Sequence, residues 1–112
     1  MRLAAIANTL GLTDRVGADA GAEATSGYAS DLLSDVLARA KEGTIWVTNQ
    51  KHQNVVGVAV MLNLAAVIIA GGVQPDENTV EKAKAENVPL YSTDMTLYEV
   101  VGRLYEMGVR SA

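Results

Sequence analysis

Ala66-Val67-Ile68-Ile69-Ala70 is an unbroken apolar run closed by Gly71-Gly72. A strand without polar alternation has to be covered on both faces, as strands inside a parallel sheet are. The neighbouring residues fit that reading. Thr44-Ile45-Trp46-Val47-Thr48 is rich in β-branched and aromatic side chains, which suit a pleated, buried surface. Between the two runs, Asn54 to Asn63 is almost wholly apolar and predicts a buried helix. Beyond the glycines, Asp76 is placed to cap a helix through Val80, Ala83 and Lys84 that ends near Asn87. Val88-Pro89-Leu90-Tyr91 predicts a third strand. Thr96-Leu97-Tyr98-Glu99 is a capping box, with Met95 and Val100 in the staple positions. The helix it opens should bury Leu97, Val100, Val101, Leu104 and Met107 before Gly108. Residues 44–108 therefore read β-α-β-α-β-α. That alternation predicts an α/β fold, one compact domain over residues 1–112 with a mostly parallel sheet.

Upstream, Leu3, Ile6, Ala7 and Leu10 have helical spacing, and Gly11 is a C-terminal stop. Leu12 to Glu23 is ambiguous and has room for one short strand. Ser30 reads as an N-cap, with Asp31 in the first turn. Leu32, Leu33, Val36, Leu37 and Ala40 form one apolar stripe after it, and Gly43 reads as the residue just past the helix.

Composition narrows the chemistry. The 112 residues contain no cysteine and one histidine, so disulfides, thiolate metal sites, a cysteine nucleophile and a His-rich metal site are excluded. The net charge of −4 argues against general affinity for nucleic acid or an anionic membrane. Met1 to Ala20, ending in Ala18-Asp19-Ala20, looks superficially like a secretory signal. Its apolar run, Leu3 to Ala7, is shorter than such a signal needs. Val55 to Val73 approaches the length of a membrane span, but Asn63 and the glycine pair divide it into a helix and a strand. A cytoplasmic protein is expected. No P-loop, dinucleotide fingerprint or nucleophile elbow is present.

In open parallel sheets, ligands bind beyond the carboxyl ends of the strands. Those ends carry Thr48, Asn49, Gln50, Lys51, His52 and Asn54; then Gly71, Gly72 and Asp76; then Thr93 and Asp94. Each set precedes a helix N-terminus, where free N–H groups favour an anion. We expect one held mainly by backbone amides near Gln50–Asn54 and Gly71–Val73, with Ser30 and Asp31 lining the same edge. A catalytic alternative would use His52 with Asp31 or Asp94. The helix after Asn54 is apolar around nearly its whole circumference, and a second subunit is a natural cover for it. A homodimer is therefore expected, with a charge at Val58 or Met61 dissociating it.

The stretch Thr25-Ser26-Gly27-Tyr28-Ala29-Ser30-Asp31-Leu32-Leu33-Ser34-Asp35-Val36 resembles the DRTGG domain. The resemblance continues through Gly43, Trp46-Val47-Thr48, His52-Gln53-Asn54, Gly71-Gly72, Pro75-Asp76 and Gly102-Arg103-Leu104-Tyr105. The Asp-Arg pair that names the family falls on Gly21 and Ala22, and its first glycine is Ser26. Thr25 and Gly27 remain. The resemblance implies the fold of the N-terminal domain of HPr kinase/phosphorylase, and a regulatory or dimer-forming role beside a catalytic domain. It implies no catalytic residue and names no cofactor. Kinase activity in that relative belongs to a P-loop domain that this sequence does not contain. The reading at this point is a non-catalytic, homodimeric module binding a small anionic metabolite or nucleotide. The alternative is an interaction subunit docking on an enzyme of its operon, since some stand-alone members are encoded beside hydrogenase or NADH-oxidising subunits.

Overall fold

A computed structural model describes residues 1–17 and 22–112. The strands are β1 (Thr13–Asp14), β2 (Ser26–Ala29), β3 (Thr44–Thr48), β4 (Ala66–Ile69) and β5 (Leu90–Ser92). The helices are α1 (Leu3–Leu10), α2 (Leu33–Arg39), α3 (Asn54–Leu62), α4 (Glu77–Glu86) and α5 (Leu97–Glu106). The sheet order is β1-β5-β4-β3-β2. Strands β2 to β5 are parallel, and β1 closes one edge antiparallel to β5.

Alternation along the strands builds two cores. Ile45, Val47, Ala66 and Ile68 face α1 and α5, meeting Leu3, Ile6, Val100 and Leu104. Trp46, Val67, Ile69 and Leu90 face α2, α3 and α4. Both strands β3 and β4 are buried along their whole length, as the apolar runs require. Each such aliphatic side chain contributes about 1.5–3 kcal/mol by burial. Trp46 is fully buried, and its indole N–H donates to the Ser30 carbonyl (2.8 Å).

The local signals work as chemistry predicts at most helix ends. Gly11 terminates α1 at φ 63°. Asn63 and Asn87, both at φ 55°, terminate α3 and α4, the left-handed position that Asn tolerates better than most residues. Thr96 Oγ1 accepts the Glu99 N–H (3.2 Å), half of the expected capping box.

Four expectations need correction. Ser26–Ala29 is an edge strand, which the sequence reading did not identify. The N-cap of α2 is Leu32, not Ser30; Ser30 Oγ accepts the Leu32 N–H (3.2 Å) from outside the helix. The α2 stripe is narrower than its apolar residues imply, because Leu32 and Leu37 are exposed and Val36 and Ala40 are buried. Gly43 sits not at the helix end but in the turn entering β3, at φ 81°, four residues past Arg39.

The apolar circumference of α3 also has a different cause. The helix lies between α2 and α4 on one face of the sheet. Sheet and flanking helices together bury Val55, Val56, Val58 and Ala59 within one chain. Val60 and Met61 remain exposed. A charge at Val58 therefore disturbs the fold of the single chain rather than a subunit contact.

Candidate functional site

The direction of winding determines where the sheet opens. Helices α2, α3 and α4 all pack on one face, whereas α5 packs on the other. The loops after β2, β3 and β4 thus turn the same way, and the loop after β5 turns the opposite way. The change of face falls between β4 and β5, the position at which ligands bind at the carboxyl edge of open parallel sheets. A polar hollow of about 410 Å³ lies at the carboxyl end of β5 on its β1 side, lined by Thr13, Arg15, Gln74, Ser92, Thr93 and Asp94 together with Leu10, Gly11 and Met95. A larger hollow, about 610 Å³, lies between α1 and α5, away from the strand ends.

Arg15 was not singled out by sequence reasoning. It follows β1, and the antiparallel pairing with β5 carries it beside the polar hollow: its N–H donates to the Leu90 carbonyl (2.9 Å). Its guanidinium donates to Gln74 Oε1 (2.8 Å) and, at 3.5 Å, to Ser92 Oγ. Both partners are neutral, and among the described residues the guanidinium pairs with no carboxylate. The loops after β4 and β5 are laced together at the same place. Gly71 N–H donates to the Met95 carbonyl (2.7 Å), and Gly72 N–H to the Thr93 carbonyl (3.0 Å). These bonds correct the expectation that the two glycine amides hold an anion, because both donors are already committed.

The other sequence-predicted residues form a separate cluster at the end of β3. Thr48 Oγ1 and Asn49 N–H both donate to Asp31 Oδ1 (2.9 Å each). With its amide nitrogen turned toward Asp31, Asn49 donates to both carboxylate oxygens (3.0 and 3.1 Å). Gln50 Nε2 donates to the Asp31 carbonyl (2.9 Å). Asp31 thus ties the end of β2 to the end of β3, as the expected placement of Ser30 and Asp31 on this edge requires. His52 pairs through Nδ1 with Asp76 Oδ2 (3.2 Å), not with Asp31 or Asp94, so the catalytic alternative lacks its geometry. His52 and Asn54 are exposed at the start of α3. The Lys51 carbonyl accepts from Asp76 N–H (3.1 Å) and from the buried Thr79 Oγ1 (2.7 Å), which fixes the β3–α3 loop onto α4.

Two titratable groups outside the Arg15 hollow are shifted by specific partners. The Tyr28 hydroxyl donates to Asp35 Oδ2 (2.8 Å). That bond, helped by Ser30 and the nearby Arg39, holds the Asp35 carboxyl below the usual carboxylate range and pushes the Tyr28 phenol up. Tyr91 is raised chiefly by burial, and secondarily by the charge of Asp14. Among the described residues, no group of three or more Asp, Glu or His is placed to hold a metal ion. No described helix is long and apolar enough to cross a membrane.

Of the family-naming positions, Ala22 and Thr25 lie at the opposite, amino end of the sheet. Gly21 is outside the described residues, as is the Ala18-Asp19-Ala20 stretch. The Ala22 carbonyl accepts the Leu3 N–H (2.9 Å). Thr25 packs on Gly43 and Gly27 on Val109, so these two retained residues serve the packing of β2.

The DRTGG domain profile matches residues 24–107. No curated protein matches the sequence. In structure the chain is similar to the CBS and DRTGG domains of the regulatory region of a Clostridium perfringens pyrophosphatase, solved in complex with the activator diadenosine tetraphosphate. The TM-score is 0.70 at 16% identity, over 97% of this chain and 47% of that one. This chain therefore spans about half the length of that regulatory region. The profile match covers most of the sequence and the fold agrees with it: the chain belongs to the DRTGG domain family.

Proposed function

We propose that this chain is a non-catalytic regulatory module of the cytoplasm, homodimeric, that binds a small anionic metabolite in the polar hollow at the carboxyl end of β5, beside β1. A nucleotide is the first choice. The observation that carries the reading is Arg15, a guanidinium held by partners that are neutral among the described residues and lining the polar hollow at the carboxyl end of β5. A planar guanidinium recognises phosphate by paired N–H bonds. Thr13, Ser92 and Thr93 add hydroxyls that donate and accept. Asp94 repels a phosphate but accepts from sugar hydroxyls, which favours a nucleotide over inorganic phosphate. The hollow's volume of about 410 Å³ is inside the range of small-molecule sites. The C. perfringens regulatory region with this fold was solved with a dinucleotide polyphosphate bound, which supports the same ligand class here. Thr48, Asn49, Gln50, Ser30 and Asp31 then form a buttressed wall of the edge, Gly71 and Gly72 tie the β4 and β5 loops behind it, and Thr93 lines the hollow.

Thermal unfolding against AMP, ATP, diadenosine tetraphosphate and inorganic phosphate tests this. A ligand at a hundred times its dissociation constant stabilises by about 2.7 kcal/mol, which raises Tm by roughly 10 °C in a chain of this length. Arg15→Gln should abolish that rise while leaving the unliganded Tm nearly unchanged. If none of the nucleotides raises Tm, the ligand reading is wrong. A rise that survives Arg15→Gln but disappears in His52→Ala would move the site to the β3 rim and refute the site at β5.

A further inference from the structure

On the α1 face of the sheet, where β1 pairs with β5, lies a hollow of about 340 Å³ whose lining includes Ala4, Ala7, Asn8, Leu12, Asp14 and Tyr91. It shares only Gly11 with the hollow around Arg15. One wall comes from α1, where Ala4, Ala7 and Asn8 stand at positions i, i+3 and i+4 and so form one stripe of the helix. The other comes from the sheet. Asp14 and Tyr91 are directly opposed in the β1–β5 register, and opposed residues project to the same face as cross-strand neighbours.

Tyr91 is the member that needs explaining. It is 2% exposed and belongs to the core that holds Leu3, Ile6 and Leu10. Its hydroxyl makes no hydrogen bond among the described residues. A buried polar group without a partner is uncommon, because it forfeits the bonds that water gave it in the unfolded chain. No fully sealed polar side-chain atom among the described residues lacks a partner, so the hydroxyl is the part of Tyr91 that reaches the hollow. Two further acceptors stand beside it. Asp14 Oδ1 is occupied by the Val16 and Gly17 N–H groups (3.0 and 2.9 Å). Its Oδ2 accepts no hydrogen bond, and no cation pairs with the carboxylate, among the described residues. The Asn8 side-chain amide is likewise without a partner among them.

We propose that this hollow binds the ammonium group of a small aliphatic amine. An ammonium group carries N–H donors and no acceptor. The hollow offers it a carboxylate oxygen, a phenol oxygen and an amide oxygen. The Asp14 charge repels an anion and strengthens a bond from a cation. A divalent metal ion draws on several carboxylates or carbonyls, and this hollow supplies one carboxylate. Ala4, Ala7 and Leu12 give the carbon stem of the amine an apolar wall, which rewards a stem over the bare ammonium ion. The site is independent of Arg15 and of the anion proposed there.

The probe is butylammonium chloride, titrated into the whole chain at constant ionic strength and followed by the amide NMR spectrum. Saturable shifts should centre on Ala7, Asn8, Asp14 and Tyr91. Asp14→Asn keeps an acceptor for the Val16 and Gly17 amides and removes the charge. Tyr91→Phe keeps the buried ring and removes the hydroxyl. Each should weaken binding by about tenfold, the loss of one bond to a charged group. Ammonium chloride should bind more weakly than butylammonium. Tetramethylammonium, which has the charge but no N–H, should not bind. Shifts that do not saturate overturn the proposal, as does binding that either variant leaves unchanged. Equal binding of tetramethylammonium would mean attraction to charge alone, and equal binding of ammonium ion would mean that the apolar wall plays no part; either result overturns it too. Arg15→Gln should bind butylammonium as wild type does, so this site and the nucleotide site fail or stand separately.

Discussion

Thr79 is the position where hydrogen bonding and packing at the carboxyl edge can be separated. It lies in the first turn of α4, is fully buried, and donates to the Lys51 carbonyl at 2.7 Å. Thr79→Val keeps the shape and removes the hydroxyl. The Lys51 carbonyl retains the Asp76 N–H, so no acceptor is left bare, and the loss is that of one ordinary hydrogen bond, about 1 kcal/mol. Thr79→Ser keeps the bond and removes a buried methyl group, which also costs about 1 kcal/mol. Thr79→Ala loses both, and about 2 kcal/mol is expected. For a chain of this length each kcal/mol lowers Tm by about 4 °C. Urea unfolding followed by fluorescence of Trp46, the single tryptophan, measures all three variants. The three values should be ordered with alanine worst and the other two similar. Amide exchange should quicken across residues 49–54 in Thr79→Val but not in Thr79→Ser. If Thr79→Val is as stable as wild type, or if its exchange pattern matches that of Thr79→Ser, the bond does not fix the β3–α3 loop.

Gly43→Ala should cost about 3 kcal/mol, combining about 1–2 for a left-handed residue with overpacking, since its Cβ would lie 2.6 Å from Thr25 Oγ1. Gly71→Ala, at φ 79° with nothing within 4 Å, should cost the backbone part alone, and urea midpoints of the two variants check the ranking. The depressed Asp35 carboxyl contributes stability that is complete above its unfolded-state value and is lost as pH falls through the lower folded-state value. Tyr28→Phe removes the principal cause, so the variant's urea midpoint should fall less than that of wild type between neutral and strongly acid pH. Equal slopes would mean that the Tyr28 bond does not set this titration.

How much of the fold could be read from the sequence followed from how much each segment's own residues decided. Strands β3 and β4 are apolar on both faces, and helix α5 has a cap and a clear stripe, so local signals and the tertiary structure agree there, except that Val101, expected to be buried, is exposed while Val100 and Leu104 alone are fully covered. Strand β2 is different. Ser26-Gly27-Tyr28-Ala29 is small, half-exposed and without alternation, and it is a strand because β3 offers a free edge to pair with. Asp31 was read as a first-turn acid because acids are common there. It turns back toward Thr48 instead, an interaction between residues 17 apart in the chain that no local rule encodes. Helix α3 shows the reverse error. Its apolar circumference was real, but its cover came from two neighbouring helices of the same chain, which a projection of one helix cannot reveal.

The candidate site shows where pattern reading stops. The carboxyl ends of the strands were correctly identified as polar or glycine-rich loops, but those loops are not equivalent. Their difference lies in the face each following helix takes, and this depends on the whole strand order β1-β5-β4-β3-β2. Three connections turn to one face and the fourth to the other, so the change of face falls between β4 and β5. The loops there lie against each other through Gly71 and Gly72, whose positive φ angles leave both amides aimed at the neighbouring loop. Both glycines thus tie the β4 loop to the β5 loop. Arg15 lies beside that junction, in a segment whose sequence is ambiguous with room for one short strand. A two-residue antiparallel strand is enough to bring its charge to the polar hollow.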